Sequence, residues 1–475
     1  MRGIHIVWAF RILYHILLTN TMNKILWQKI LEFDLDGPPS EYGFTTRLAN
    51  ENFWTSAFTG QAILEYKKFM YLAATSDMMV SPSEIVDQVW HQHLVFTKSY
   101  QDFCAVLGKP IQHVPSTHNK DEFEKFKRAR ERTTSLYREA FGEPPEQIWN
   151  SSSMFDQLGL EKARFKIRTF LIVGLLSAVV LAFPIYYLLK PLYVEIGNPW
   201  FMVGAFLIAL VIFGLLEIYN RLTLRKIVER FPRSSFIYSL SPEELVYMKH
   251  GDITHVINGT VSRMVDSDII RVNPDYSLEL VANGKTRTKK ELQVSSVLSE
   301  MRLTYYPPLL YTLRLKPIFT NVAHCMTAFS KYFYKSKIFG RLFYLNFVVL
   351  ILLVLANFTR VFTGLERGKP VVLILIYSIV ILLAVAYFLY RLVSQISKQT
   401  IPGIYRNDIV RNEDLRSNWW WEYLFYGPSV FADSFVPVAQ YVNRNSNSSI
   451  SNGTSCGSSC GSSCGSSCGG CGGGD

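Results

Sequence analysis

Four uncharged apolar runs, residues 169–189, 199–216, 342–359 and 370–390, constrain this chain more than any other feature it has. Each is close to the roughly 20 residues that a helix rising about 1.5 Å per residue needs to cross the hydrocarbon of a bilayer. The short links between the first and second runs, and between the third and fourth, imply two tight transmembrane hairpins. Basic residues flank the outer ends of both pairs: Lys162, Arg164, Lys166 and Arg168 before the first run, and Arg221, Arg225 and Lys226 after the second. Lys335, Lys337 and Arg341 precede the third, and Arg391 and Lys398 follow the fourth. The positive-inside rule then puts both termini and every large segment in the cytoplasm of a multi-pass protein of the inner membrane. Only the links near residues 190–198 and 360–369 face out.

The charge distribution fits that picture. Residues 22–168 carry 18 Lys and Arg against 19 Asp and Glu, whereas residues 221–342 carry 19 against 10. The basic excess behind the net charge of +11 therefore lies beside the apolar runs. There it suits anionic lipid headgroups, worth about 1 kcal/mol per basic residue near the surface, better than nucleic acid. Residues 1–21 hold an apolar stretch interrupted by Arg11 and His15, without a small-residue cleavage site. Translation from Met22 and an interfacial amphipathic helix are the two readings of that stretch.

Residues 22–155 read as a helical domain. Ser81-Pro82-Ser83-Glu84 has the form of a capping box with proline at the first helical position. The apolar face then runs through Ile85, Val86, Val89, His93, Phe96, Tyr100 and Phe103. Within the helix, Asp87 and His91 stand at i and i+4 and stack on one face, while His91 and His93 point about 200° apart. His113 follows on a loop after Gly108, with His118 close behind. Imidazoles with a carboxylate suit zinc or another borderline transition metal, which makes Asp87, His91, His93 and His113 the candidate ligands. The plainer alternative makes His93 a buried, hydrogen-bonded core residue and Asp87 an orienting partner of His91.

The string Val86-Asp87-Gln88-Val89-Trp90-His91-Gln92-His93, followed by Ser99-Tyr100, Gln112-His113-Val114-Pro115 and Phe141-Gly142-Glu143-Pro144-Pro145, resembles the glycine-rich domain-containing protein family over residues 75–150. The resemblance names a domain and no reaction. Gln112 stands where a second adjacent histidine is common in that family.

Residues 221–341 hold another unit. Ser241-Pro242-Glu243-Glu244 is a second capping box, starting a helix that stops near Gly251, and Asp252 can cap the next. That helix carries Ile253, Val256, Ile257, Val261 and Met264 on one face, and a hairpin follows around Asn273-Pro274-Asp275. Helix, helix and hairpin suggest a small winged-helix-like α+β unit. The outer side of its second helix offers Asp252, His255, Asn258, Arg263 and Asp266, a poor set for reading a nucleic-acid groove. Glu244-Leu245-Val246-Tyr247-Met248-Lys249-His250-Gly251, the flanking apolar runs and a Gly/Cys-rich end together resemble a family of uncharacterised bacterial membrane proteins, over residues 160–475.

Residues 391–444 contain Trp419-Trp420-Trp421 with Tyr423, Phe425 and Tyr426. This aromatic cluster suits either the headgroup level of a membrane or packing on the middle unit. Residues 445–475 are Ser, Asn, Gly and Cys, a composition that cannot bury a core, so a disordered tail is expected. Its Cys456, Cys460, Cys464, Cys468 and Cys471 are expected to stay reduced in a cytoplasmic compartment and can wrap zinc or copper(I), or can be incidental thiols on a flexible segment.

The chain has no P-loop, dinucleotide glycine fingerprint, nucleophile elbow or H-E-x-x-H, and the apolar runs hold Asn346 and Asn357 but no charge. Two function classes follow. The first is a non-enzymatic membrane-anchored binding or scaffold protein that recruits a cytoplasmic partner or a metal. The second is a metal-dependent membrane-bound enzyme working through Asp87, His91, His93 and His113. The expected fold is mainly α, with four transmembrane helices (169–216 and 342–390), the two soluble domains, the aromatic segment and the tail.

Overall fold

The computed structural model describes residues 23–38, 40–114, 120–281, 286, 288–410 and 418–441. The protein is mainly helical with one small antiparallel sheet. Among the described residues seven helices come first: α1 (Lys24–Glu32), α2 (Phe44–Asn52), α3 (Ser56–Thr75), α4 (Glu84–Val95), α5 (Thr97–Leu107), α6 (Lys120–Phe141) and α7 (Glu146–Trp149). The long helices α8 (Ile167–Glu195) and α9 (Asn198–Glu229) follow. Next come α10 (Pro242–His250), α11 (Thr254–Asp266), β1 (Ile270–Val272), β2 (Ser277–Leu280), α12 (Lys289–Met301), β3 (Thr304–Tyr305), α13 (Tyr306–Leu315) and α14 (Pro317–Tyr334). The chain then runs through α15 (Lys337–Glu366), α16 (Val372–Gln395) and α17 (Trp419–Tyr426).

Helices α8, α9 and α15, and α16 with its continuation to Ile409, are long and apolar enough to cross a membrane. Their packing is decided by contacts distant in sequence. Before α8, the amide of Ala163 donates to the carbonyl of Lys335 at 2.8 Å, and the amide of Lys337 donates to Glu161 O at 2.7 Å. These bonds start α8 and α15 side by side, so α8 packs along α15 and α15 also packs along α16. Gly174 permits the close approach of α8, because a Cβ there would lie 2.5 Å from the Phe347 ring. Asn220 on α9 and Asn346 on α15 exchange side-chain amide hydrogen bonds of 2.9 and 2.8 Å in a buried setting. Two unpaired amides among apolar helices would each lose a bond to water, so this exchange fixes the register of the two helices.

The remaining helices form a body at one end of these four. Its core runs without a break from Ile30 and Phe44, through Trp54 and Phe69, to Leu245, Val261, Phe329 and Phe435. Residues 22–155 and 221–341, expected as two domains, thus share one apolar interior. Polar ties cross the same boundary: the Ser56 amide donates to Glu244 Oε1 at 2.9 Å, and Asn50 Oδ1 lies 2.9 Å from His324 Nδ1. Glu244 is buried and its carboxyl is pushed up by that burial, against the pull of the Ser56 and Ser241 donors.

Local signals explain much of the middle unit. Ser241 and Glu244 form the reciprocal capping box of α10, and Gly251 ends the helix with a left-handed φ of 76° that suits glycine. Strands β1 and β2 pair antiparallel with Ile270 opposite Leu280, and β3 adds a third strand beside β2, which sequence patterning missed. A two-residue strand has too little pattern to show. The polar side of α11 is outward only in part: Asp266 is exposed as expected, but Asn258 is buried, accepting the Tyr306 hydroxyl, and Arg263 pairs with buried Glu291. The aromatic segment α17 packs on the body. Trp420 and Tyr423 lie against Gly259 of α11, where a Cβ would come within 2.9 Å of both rings, and the Tyr423 hydroxyl donates to His255 O at 3.0 Å.

Candidate metal site

Helix α4 begins two residues later than the capping-box pattern indicates. Ser83, not Ser81, is the N-cap, its hydroxyl accepting from the Val86 amide at 3.2 Å. The Ser81 amide is instead tied to the Thr133 hydroxyl of α6 at 2.9 Å, which holds Ser81 and Pro82 outside the helix. One turn in, Asp87 and His91 stack as expected, with Asp87 Oδ2 3.3 Å from His91 Nε2. His113 arrives from the segment after α5 and puts its Nε2 3.0 Å from Asp87 Oδ1. The two imidazoles meet edge to face, with centroids 4.4 Å apart and planes at 65°. One donor atom from each of the three residues lies within 4.8 Å of the other two.

His113 is held by α4 and α5 together. Trp90 Nε1 donates to the Tyr100 hydroxyl at 3.1 Å, and that hydroxyl donates to the carbonyl of Ile111. The His113 ring stands edge-on to Trp90 at 4.6 Å. Trp90 and Tyr100 thus fasten the loop two residues before the ligand it delivers. A cleft of about 420 Å³ opens beside the three donors, lined further by Pro82, Glu84, Gln112, Val114 and Phe126.

His93 is not part of this cluster, and its place in the four-residue ligand set is corrected here. It points to the opposite side of α4, as the helical rotation of about 200° from His91 requires. It is fully buried, with Nδ1 2.8 Å from the Tyr66 hydroxyl and Nε2 3.1 Å from Ser99 Oγ, and it packs among the Phe44, Tyr100 and Phe103 rings. Burial lowers its pKa to about 4, so the ring is neutral near pH 7 and both nitrogens are already engaged.

A zinc ion with tetrahedral ligands at about 2.0–2.1 Å holds neighbouring donors roughly 3.3 Å apart. Asp87 reaches the two imidazoles through different oxygens, Oδ2 to His91 at 3.3 Å and Oδ1 to His113 at 3.0 Å, and the three donors within 4.8 Å of one another would draw together around such an ion. Without an ion, the His113 contact at 3.0 Å is a hydrogen bond, while His91 makes a longer polar approach of 3.3 Å. Exposure of the side chains rises from 13% at His113 to 59% at His91, leaving the far side of the cluster open to a further ligand or water.

Sequence reasoning overlooked Glu65 of α3. This buried carboxylate accepts from the Tyr137 hydroxyl and from Trp149 Nε1, each at 2.8 Å, and pairs with Lys68. It joins α3 to α6 and α7, and the Tyr137 hydroxyl is pushed up by its own burial and by the adjacent carboxylate. A lone glutamate on a helix gives no sequence signal of such a role. His118 and Cys456, Cys460, Cys464, Cys468 and Cys471 lie outside the described residues.

A family model described as UCP032817-like matches residues 54–135, a stretch that holds α4, α5 and all three clustered donors. No curated protein matches the chain. No solved structure matches it either.

Proposed function

We propose that this is a membrane-anchored binding protein without catalytic activity, whose body holds a divalent transition metal of the zinc class on Asp87, His91 and His113 and presents it to a partner or ligand. The observation that supports this reading is the convergence of three donors from two separate elements, fixed by the Trp90–Tyr100–Ile111 chain, beside an open cleft. Hydrogen bonding alone does not call for a second imidazole on the same carboxylate. When bound, the metal would act as a Lewis acid toward an oxygen or nitrogen ligand. Asp87 and His91 then form a rigid pair on α4, and His113 closes the site from the loop.

The test is metal analysis of the full chain purified in detergent and dialysed. About one equivalent of metal is expected, lost in His91→Ala and His113→Ala and kept after removal of residues 446–475. Sub-stoichiometric metal, or content unchanged by both histidine substitutions, would overturn the reading. The tail cysteines are a second proposed site, for zinc or copper(I). If that reading holds, the same truncation lowers metal beyond the single body equivalent.

The second reading is a metal-dependent enzyme. Structural zinc sites are closed by four protein ligands, whereas three ligands and an open side are the catalytic arrangement, and that openness is the observation favouring it. A cobalt-substituted protein whose visible spectrum titrates near pH 7 would reveal a bound, activated water and favour this alternative.

The topology proposed is cytoplasmic for the body and both termini, in a bacterial inner membrane, on the strength of the flanking charges. Reporter fusions at Gly197 and Gly364 should read outside and one after Arg287 inside. The likeness of residues 75–150 to glycine-rich domain-containing proteins is retained as part of the proposal. So is the winged-helix likeness of the middle unit, as a scaffold rather than a reader of nucleic acid. Burial of ten residues of its second helix, including Asn258 and Ser262, leaves no free face for a groove.

A further inference from the structure

The end of the four long helices farthest from the body carries a second, differently charged site. There α8 ends at Glu195, α9 begins at Asn198, α15 ends at Glu366 and α16 begins at Val372. A cleft of about 250 Å³ lies among these ends, lined by Glu195, Asn198, Arg360, Arg367, Lys369 and Val371 among others. Three cations thus face one carboxylate.

The guanidinium of Arg360 is buried, yet every partner it has is neutral. It donates to the carbonyl of Tyr193, to Ile196 O at 2.6 Å and to Asn198 Oδ1 at 2.9 Å, and it lies over the Phe201 ring at 5.0 Å. Arg367 donates to Val194 O at 3.1 Å, again a neutral acceptor. Among the described residues Lys369 forms no ion pair, and neither does Glu195. The nearby carboxylate of Glu366 is already taken by Lys190 and Tyr186. A buried arginine without a counter-ion, in a cleft whose other cations also lack one, is an arrangement that an anion completes. The amino ends of α9 and α16 and the carboxyl ends of α8 and α15 all open on this space, so the helix dipoles offset and the side-chain cations carry the charge.

We infer that this cleft binds a phosphate group, with Arg367 and Lys369 as the contacting cations and Arg360 as the positioning residue that ties the 193–198 turn to α15. The shared chemistry is a phosphate oxyanion, whether on a lipid headgroup or free. The surroundings suit a headgroup: exposed Trp200, Val372 and Leu373 flank the cleft on the helix sides that acyl chains would cover. A phosphate ligand also accounts for Arg360, Arg367 and Lys369 at the helix ends opposite the charged flanks, where positive charge is ordinarily sparse. The inference is independent of the metal reading.

The experiment uses the full chain in nanodiscs and in detergent. Native mass spectrometry and thermal melting are carried out with phosphatidylglycerol, with phosphatidylcholine and with inorganic phosphate alone. Retained phosphatidylglycerol with a raised melting temperature, unmatched by phosphatidylcholine, is expected if the source is lipid. Stabilisation by inorganic phosphate of the same Arg367- and Lys369-dependent kind assigns a soluble phosphate instead. The double variant Arg367→Gln/Lys369→Gln, whose side chains are exposed, should weaken retention by about tenfold or more, given roughly 1 kcal/mol per basic contact. Lys98→Gln, which removes an exposed charge from the body at the other end of the molecule, should leave retention unchanged. Equal retention in the double variant, or no discrimination between the anionic and the neutral lipid together with no effect of phosphate, would overturn the site.

Discussion

His91 and His93 stand two residues apart on α4 and occupy opposite kinds of environment. His93 is enclosed by aromatic rings, its two nitrogens are used by Tyr66 and Ser99, and burial holds it neutral. His91 is the most exposed member of a three-donor cluster beside a cleft, partnered by one carboxylate that His113 shares. The same residue type therefore serves as a core element on one face and as a candidate ligand on the other. What separates them is the helical rotation, together with what other elements bring to each face.

The contrast breaks most directly at His93. His93→Ala removes a buried ring and leaves two hydroxyls without a partner, so a loss of about 3 kcal/mol is expected in denaturant unfolding of the detergent-solubilised protein. A midpoint equal to that of the parent would show that the ring is not a core element.

An acid titration sharpens the same point. The folded pKa near 4 lies below the unfolded value of about 6.5, so over that interval the unfolded chain binds a proton that the folded chain refuses. Stability from His93 is complete above about pH 6.5 and falls as pH drops toward 4, by on the order of 3 kcal/mol in all. His250, stacked on His255 and also lowered to about 4, acts in the same sense. His93→Gln should reduce the slope of stability against pH in this window while leaving the share due to His250, and an unchanged slope would contradict the buried-neutral assignment.

Tyr100 links the two environments, since its ring packs on His93 and its hydroxyl holds the loop of His113. Tyr100→Phe should cost about 1–2 kcal/mol. It should also weaken metal binding by roughly tenfold, as loss of an outer-shell support does, measured by competition with a chromophoric chelator. Stability loss without any change in affinity would separate the loop from the site.

The smallest effect belongs to His91. In metal-free protein, His91→Ala should lie within about 0.5 kcal/mol of the parent, because the ring is mostly exposed, and yet bound metal should disappear. A large destabilisation without metal would make His91 structural.

How much of this was legible follows from the range over which each feature is decided. The four long helices show in the sequence because an apolar run near 20 residues has few other solutions. The Ser241–Glu244 box, the Gly251 stop and the β1–β2 hairpin show because their hydrogen bonds span only a few residues. The stacking of Asp87 on His91 follows from 3.6 residues per turn, as does the exclusion of His93 from their side. No such local rule governs the rest. That His113 reaches Asp87 depends on Tyr100 gripping the loop. That α4 starts at Glu84 rather than at Pro82 depends on Thr133 of α6. The pairing of α8 with α15 depends on bonds between residues near 162 and 336, and the seating of α17 on the body depends on the bare Cα of Gly259. Periodicity and capping, encoded over one or two turns, were determined by the sequence alone. The meeting of groups far apart along the chain was decided only by the packed structure, because which partners exclude water from one another depends on the whole fold.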